Sequence, residues 1–152
     1  MRMATKYQGG RREELALTTF IRLTRSVDSV MDRTFRRAPL PEGMTLTQFG
    51  VLEALFHVGP LCQSELGKKI LKTKGNISMV VDHLAGQGFV GRRRNQDDRR
   101  YQEVYLTRAG REAISEYFPR YAEALAEEFS VLSLEEQERL GTLCRRLGLQ
   151  EE

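Results

Sequence analysis

Between Leu61 and Thr107 the hydrophobic spacing changes from helical to alternating, and no other feature constrains the fold as much. Leu61 to Leu71 has the pattern of a short amphipathic helix, and Lys72-Thr73 that of a turn. Thr73 is a good N-cap for a second helix, on which Ile77, Val80, Val81 and Leu84 share one face. After Gly86 and Gly88, Phe89 to Arg94 reads as a strand that turns basic. Asn95 to Arg100 is a loop, and Tyr101 to Leu106 a returning strand. The predicted order is helix, turn, helix, hairpin.

Helices flank this stretch. From Glu13 to about Arg37, apolar positions including Leu15, Phe20, Leu23, Val27, Met31 and Phe35 recur at helical spacing. Two prolines and a glycine in residues 38–43 end that helix. Thr45 and Gln48 form a capping box opening a helix to His57, with Phe49, Leu52, Leu55 and Phe56 inward, and Val58-Gly59-Pro60 stops it. Thr107 caps a long helix carrying Ile114, Phe118, Tyr121, Leu125 and Phe129, with Pro119 expected to kink it. Ser133 to Glu136 is another capping box, and the final helix is expected to turn Leu140, Leu143 and Leu147 inward and to end at Gly148. The first and last helices are too apolar to cover only a small motif, so a second copy of the chain is expected against them.

Charge is distributed unevenly. Residues 60–111 hold eleven Lys and Arg against five Asp and Glu, whereas residues 112–152 hold four against ten. A polyanion would therefore meet the middle of the chain and be repelled by its end. Two cysteines, Cys62 and Cys144, make no disulfide framework and no C-x-x-C pair. No apolar run reaches the roughly 18 residues of a membrane helix, and residues 1–12 lack a signal peptide's apolar centre, so a cytoplasmic protein with no membrane partner is expected. His57 and His83, the only histidines, belong to no metalloprotease or zinc-finger pattern, and no glycine loop resembles a nucleotide fingerprint. Neither enzyme, metal site nor cofactor is indicated.

The middle segment suits DNA. With Ile77, Val80, Val81 and Leu84 inward, Lys74, Asn76, Ser78, Met79, Asp82 and His83 fall on the open side of the second helix. Asn pairs bidentately with adenine, Ser bonds a base edge or phosphate, and Met touches a thymine methyl. In the hairpin, Arg92, Arg93 and Arg94 lead to a tip holding Asp98, Arg99 and Arg100. A carboxylate two residues before an arginine holds its guanidinium for a narrow minor groove. Taken singly, each element also fits an ordinary solvated face; their combination is what points to a winged helix-turn-helix that reads DNA. The candidate contacts are Lys74, Asn76, Ser78, Met79, His83, Arg94, Asp98, Arg99 and Arg100. Two other readings share the fold: a winged helix that binds protein, and a redox-responsive regulator. For the latter, Cys62 at a helix N-terminus is the candidate, because the dipole there favours a thiolate.

From Met44 to Gly148 the sequence resembles the MarR family of transcription regulators. The likeness rests on residues 46–52, Gly59-Pro60-Leu61, Glu65-Leu66, residues 75–84, Gly88-Phe89-Val90, Asp98-Arg99-Arg100 with Leu106-Thr107 and Gly110 beyond, and Leu132-Ser133 with Glu136-Gln137. The resemblance implies a mainly α, single-domain chain of 152 residues. Residues 45–107 would form the winged-helix lobe, and residues 12–38 and 112–148 the dimerisation helices. It implies a homodimeric repressor on a pseudo-palindromic operator, with Asp98 orienting Arg100 into the minor groove. It also implies release by a small aromatic or phenolic ligand, in a crevice lined by Leu23, Val27, Met31, Phe49, Phe56, His57 and Tyr117.

Overall fold

The computed structural model describes residues 7–70 and 74–149, and the side chains of all of these except Lys74 and Gly75. The expected turn and its cap at Thr73 lie outside these residues, as does the side chain of Lys74. The chain divides into two compact units, residues 40–120 and residues 1–39 with 121–152.

The first unit begins with helix α2, Leu46–Val58, following helix α1, Arg11–Arg37, of the other unit. The Thr45 hydroxyl accepts from the Gln48 amide, and the Gln48 side chain accepts from the Thr45 amide. Phe49, Val51, Leu52 and Leu55 are buried, so α2 is covered on more sides than the amphipathic reading implied; Val51 adds to the inward set and Phe56 is only half-buried. Gly59 closes the helix at φ 94°, a left-handed backbone that favours glycine.

Next come strand β1, Leu61–Cys62, helix α3, Gln63–Lys69, and helix α4, Lys74–Gly86. Strand β2, Val90–Arg94, and strand β3, Gln102–Leu106, complete an antiparallel sheet of order β1-β3-β2. The expectation of a helix from Leu61 is thereby corrected. Leu61 pairs with Val104 and Cys62 with Glu103, and Cys62 keeps an extended backbone as N-cap, so helix begins only at Gln63. Two residues cannot display an alternating pattern; the strand exists because β3 offers it a free edge. In β2 and β3, Val90 stands opposite Leu106, Arg92 opposite Val104, and Arg94 opposite Gln102. Leu61, Leu66, Ile77, Val81, Leu84, Val90 and Val104 are buried and fill this unit's core.

Helix α5, Arg108–Phe129, starts against the hairpin. Thr107 caps it, its hydroxyl accepting from Gly110 and donating to Gly88. A Cβ on Gly110 would lie 1.9 Å from the Phe89 carbonyl oxygen, so only glycine lets this turn approach the strand. Helix α5 runs unbroken through Pro119, whose missing N–H removes one donor from the ladder.

The second unit holds α1, the end of α5, and helix α6, Leu134–Gly148. Glu128 is buried and receives Arg33 Nε at 2.5 Å and Arg37 at 3.4 Å. Phe35 stacks on Tyr121 with centroids 5.7 Å apart. Ser133 accepts from the Glu136 amide, and Glu136 reaches back to the Ser133 amide. Helix α6 has no buried residue. Leu140, Leu143 and Leu147, expected inward, are exposed, and so are Leu15, Phe20 and Val27 on α1. Among the described residues nothing packs over these stripes, so they stay exposed where the periodicity predicts burial. A groove of about 450 Å³ beside Glu128 is lined in part by Arg25, Val30, Phe129, Leu132 and Leu140.

Candidate DNA-binding surface

Helix α4 turns Ile77, Val81 and Leu84 into the core and leaves Asn76, Met79, Asp82 and His83 exposed, with Ser78 half-buried. A Schellman ending closes it: Phe89 N–H donates to Leu84 and Gly88 N–H to Ala85, with Gly88 at φ 80°. The hairpin therefore leaves α4 in a defined direction.

The hairpin tip is shaped by Asn95, a residue sequence reasoning passed over. Its side-chain oxygen accepts from the amides of Asp97 and Asp98 at 2.9 and 3.0 Å. Its backbone N–H donates to the Tyr101 carbonyl, and Tyr101 N–H donates to the Asp98 carbonyl. This Asx turn presents Asp98 to Arg100. Arg100 donates from Nε to Asp98 Oδ1 at 3.0 Å and from Nη2 to Oδ2 at 2.7 Å, and its backbone amide donates to Oδ1 at 3.1 Å. These bonds, from the guanidinium first and then the amide, hold the Asp98 carboxyl below its ordinary range. The same carboxylate raises the Arg100 pKa, so the pair stays ionised throughout the physiological range. The Arg100 guanidinium also lies 6.0 Å from the Tyr101 ring centroid.

The other hairpin arginines divide into two sets, which the sequence did not reveal. Arg92 donates Nε to Gln63 of α3 at 3.0 Å and Nη2 to Asp82 of α4 at 2.6 Å. It therefore ties the strand to both helices of the motif. Arg93 pairs with Glu103 across the hairpin at 2.6 Å and lies 4.8 Å above the Tyr105 ring. Tyr105 packs over Gly91, where a Cβ would meet its ring. Arg94 and Arg99 are exposed and have no ion-pair partner among the described residues. Two arginines thus brace the hairpin, one is aimed by an acid, and two offer unneutralised charge. Arg92 and Arg94 lie on the same face of β2, so alternation does not distinguish them; Arg92 alone stands at the point along the strand where Gln63 and Asp82 are within reach.

Cys62 departs from the electrostatic expectation. Burial, followed by the nearby carboxylates of Glu65, Glu103 and Asp98, pushes its thiol pKa up rather than down. Glu65 accepts from the Cys62 amide at 2.8 Å, so the helix end is already occupied by a carboxylate. A short helix with its own acid has little positive field left to favour a thiolate. Cys144 is free and exposed.

The expected ligand-lining residues fall in both units. Leu23, Val27 and Met31 are on α1, with Leu23 and Met31 half-buried and Val27 exposed. Phe49 and Tyr117 meet edge to face at 5.4 Å. Phe56 and His57 gather with Phe118, which is 4.9 Å from His57 and 5.7 Å from Phe56. The sequence marks Phe118 only as one position of an apolar stripe. Burial raises the pKa of Glu53, one turn before His57, and the His57 charge partly opposes that rise. Among the described residues no cluster of histidine, cysteine or acid fits a metal ion, and no helix is long and apolar enough to cross a membrane.

A helix pair, a three-stranded sheet and an arginine-tipped hairpin define the winged helix-turn-helix class of DNA-binding regulators. Residues 44–101 match the MarR family. Similar proteins include the HTH-type transcriptional regulator MhqR of Bacillus subtilis, 35% identical over 136 residues that span 90% of this chain and 93% of MhqR. The HTH-type transcriptional repressor YetL of the same organism is 30% identical over 142 residues, 90% of this chain and 82% of YetL. Sco3205, a MarR family regulator from Streptomyces coelicolor solved in complex with DNA, superposes with a TM-score of 0.75 at 27% identity, covering 95% of this chain and 96% of that one. The chain belongs to the MarR family of DNA-binding transcriptional regulators.

Proposed function

We propose that the protein is a homodimeric repressor in the cytoplasm that binds a pseudo-palindromic operator and leaves it when a small aromatic or phenolic molecule binds. The observation that carries the reading is the hairpin tip, where two guanidinium bonds clamp Arg100 to Asp98 while Arg94 and Arg99 are exposed without an ion-pair partner among the described residues. Such a tip suits a minor groove flanked by phosphates. In this reading Lys74, Asn76, Ser78, Met79 and His83 meet the major groove. The uncovered leucines of α6 and the groove beside Glu128 favour a second copy as the partner of the helical unit. Similarity to YetL favours repression. The ring cluster of Phe56, His57 and Phe118, beside a half-buried acid, favours an aromatic effector bearing a hydroxyl.

The test is a footprint of the purified protein on the promoter beside its own gene, repeated with added phenols and aromatic acids. A protected inverted repeat, released by one of these compounds, is the expected result. Protection of no duplex at low salt overturns the DNA-binding role, and protection that no compound relieves overturns the effector.

A further inference from the structure

We infer that Met79 is a base-reading residue, and that it selects a thymine in each operator half-site through that base's 5-methyl group. The inference rests on the operator-binding reading above and adds to it the chemistry of one base.

The argument begins with the position of Met79 on α4. Ile77, Val81 and Leu84 are fully buried and define the helix face turned to the core. At about 100° per residue, Met79 lies about 190° round the helix from their mean direction, at the centre of the outward face. It is 68% exposed. Of its neighbours one turn away, Asn76, Asp82 and His83 are polar and exposed. An apolar partner that covered this thioether would remove apolar surface from water, a favourable change.

The major-groove floor offers hydrogen-bond donors and acceptors at every base pair, and a single apolar group, the thymine methyl. A thioether is at best a weak acceptor, so guanine, cytosine and adenine edges pressed against it would lose water without gaining a partner. The thymine methyl gains a partner instead. Asp82, the acid nearest Met79 on this face, is already paired with Arg92 at 2.6 Å. An unpaired carboxylate there would repel the phosphates on either side of the groove; its pairing leaves the approach open for Met79.

The experiment uses the full-length protein and a random-sequence DNA duplex library, from which bound duplexes are enriched. The consensus duplex is then remade with deoxyuridine replacing each thymine in turn, which removes one methyl group and leaves base pairing unchanged. We expect one thymine position per half-site at which deoxyuridine weakens binding about fourfold, and about fifteenfold when both half-sites are changed. In Met79→Ala, whose folding is checked by its melting curve, the same positions should bind thymine and deoxyuridine alike. Met79→Leu should restore the preference. Affinity indifferent to deoxyuridine at every position overturns the inference while leaving operator binding intact, as does a preference that survives in Met79→Ala. Failure to enrich any duplex overturns the operator reading itself, and this inference with it.

Discussion

Asp98 faces two opposed effects. On the proposed DNA-binding reading a carboxylate at the hairpin tip would repel phosphates; as the partner of Arg100 it sets the direction of a cation. Two parallel bonds on one guanidinium favour the second effect, so Asp98→Asn should weaken operator binding although it removes a negative charge. The pH dependence follows from the direction of the shift. The folded Asp98 pKa is depressed, so the clamp's contribution is complete above the ordinary carboxylate pKa and is lost only as pH falls through the lowered value. The difference in affinity between wild type and Asp98→Asn should therefore be flat from about pH 5 to 8. Fluorescence anisotropy across that range checks this, and a wild-type advantage that fades between pH 7 and 5 would contradict it. The motif Asp98-Arg99-Arg100 was legible in the sequence because its partners are two residues apart. The Asn95 turn behind it was not singled out, since an asparagine before two aspartates also suits any solvated loop.

At the scale of elements, the hairpin arginines should separate by their salt dependence. Arg99 has no internal partner among the described residues, so Arg99→Ala should weaken binding and lower the slope of log affinity against log salt by about one per protomer. Arg92 braces β2 against α3 and α4. Arg92→Ala should weaken binding with the slope nearly unchanged, because orientation is lost rather than a phosphate contact. Equal slopes for the two variants would remove the distinction. The junction between hairpin and α5 is tested by Gly110→Ala. Its Cβ would fall 1.9 Å from the Phe89 oxygen, and relieving that clash means parting α5 from β2. A cost of about 2–3 kcal/mol is expected in a denaturant melt, as for an overpacked core. A melt within 0.5 kcal/mol of wild type, a difference of about the size expected at neutral surface sites, would show that the junction yields easily.

At the scale of the molecule, the proposed homodimer would rest on the apolar stripes of α1 and α6. Leu143 is 50% exposed in a single copy. In the proposed dimer, covering the rest of that side chain would contribute about 1 kcal/mol, and a two-fold arrangement would count it twice. Leu143→Glu should weaken the dimer at least about thirtyfold and more once the carboxylate's burial is included. Sedimentation of the wild type should give twice the monomer mass, the variant should approach the monomer mass, and operator affinity should fall with it. A wild-type chain that sediments as a monomer at micromolar concentration would overturn the homodimer.

The sequence by itself determined most of the helices, the caps at Thr45, Thr107 and Ser133, and the hairpin, because periodicity, capping hydroxyls and glycines act over a few residues. It also marked the cationic middle of the chain, since charge is countable without coordinates. Only the tertiary structure decided that Leu61–Cys62 is a strand, for a two-residue strand exists solely through its pairing with β3. Only the tertiary structure divided five similar arginines into braces, an aimed cation and free charge, because Arg92 finds Gln63 29 positions away and Asp82 ten positions away. The same holds for the Cys62 thiol, whose pKa is set by burial and by carboxylates from the helix after it and from the hairpin. Local structure is written in short-range spacing; the role of each charged side chain depends on neighbours that the folded chain alone brings near.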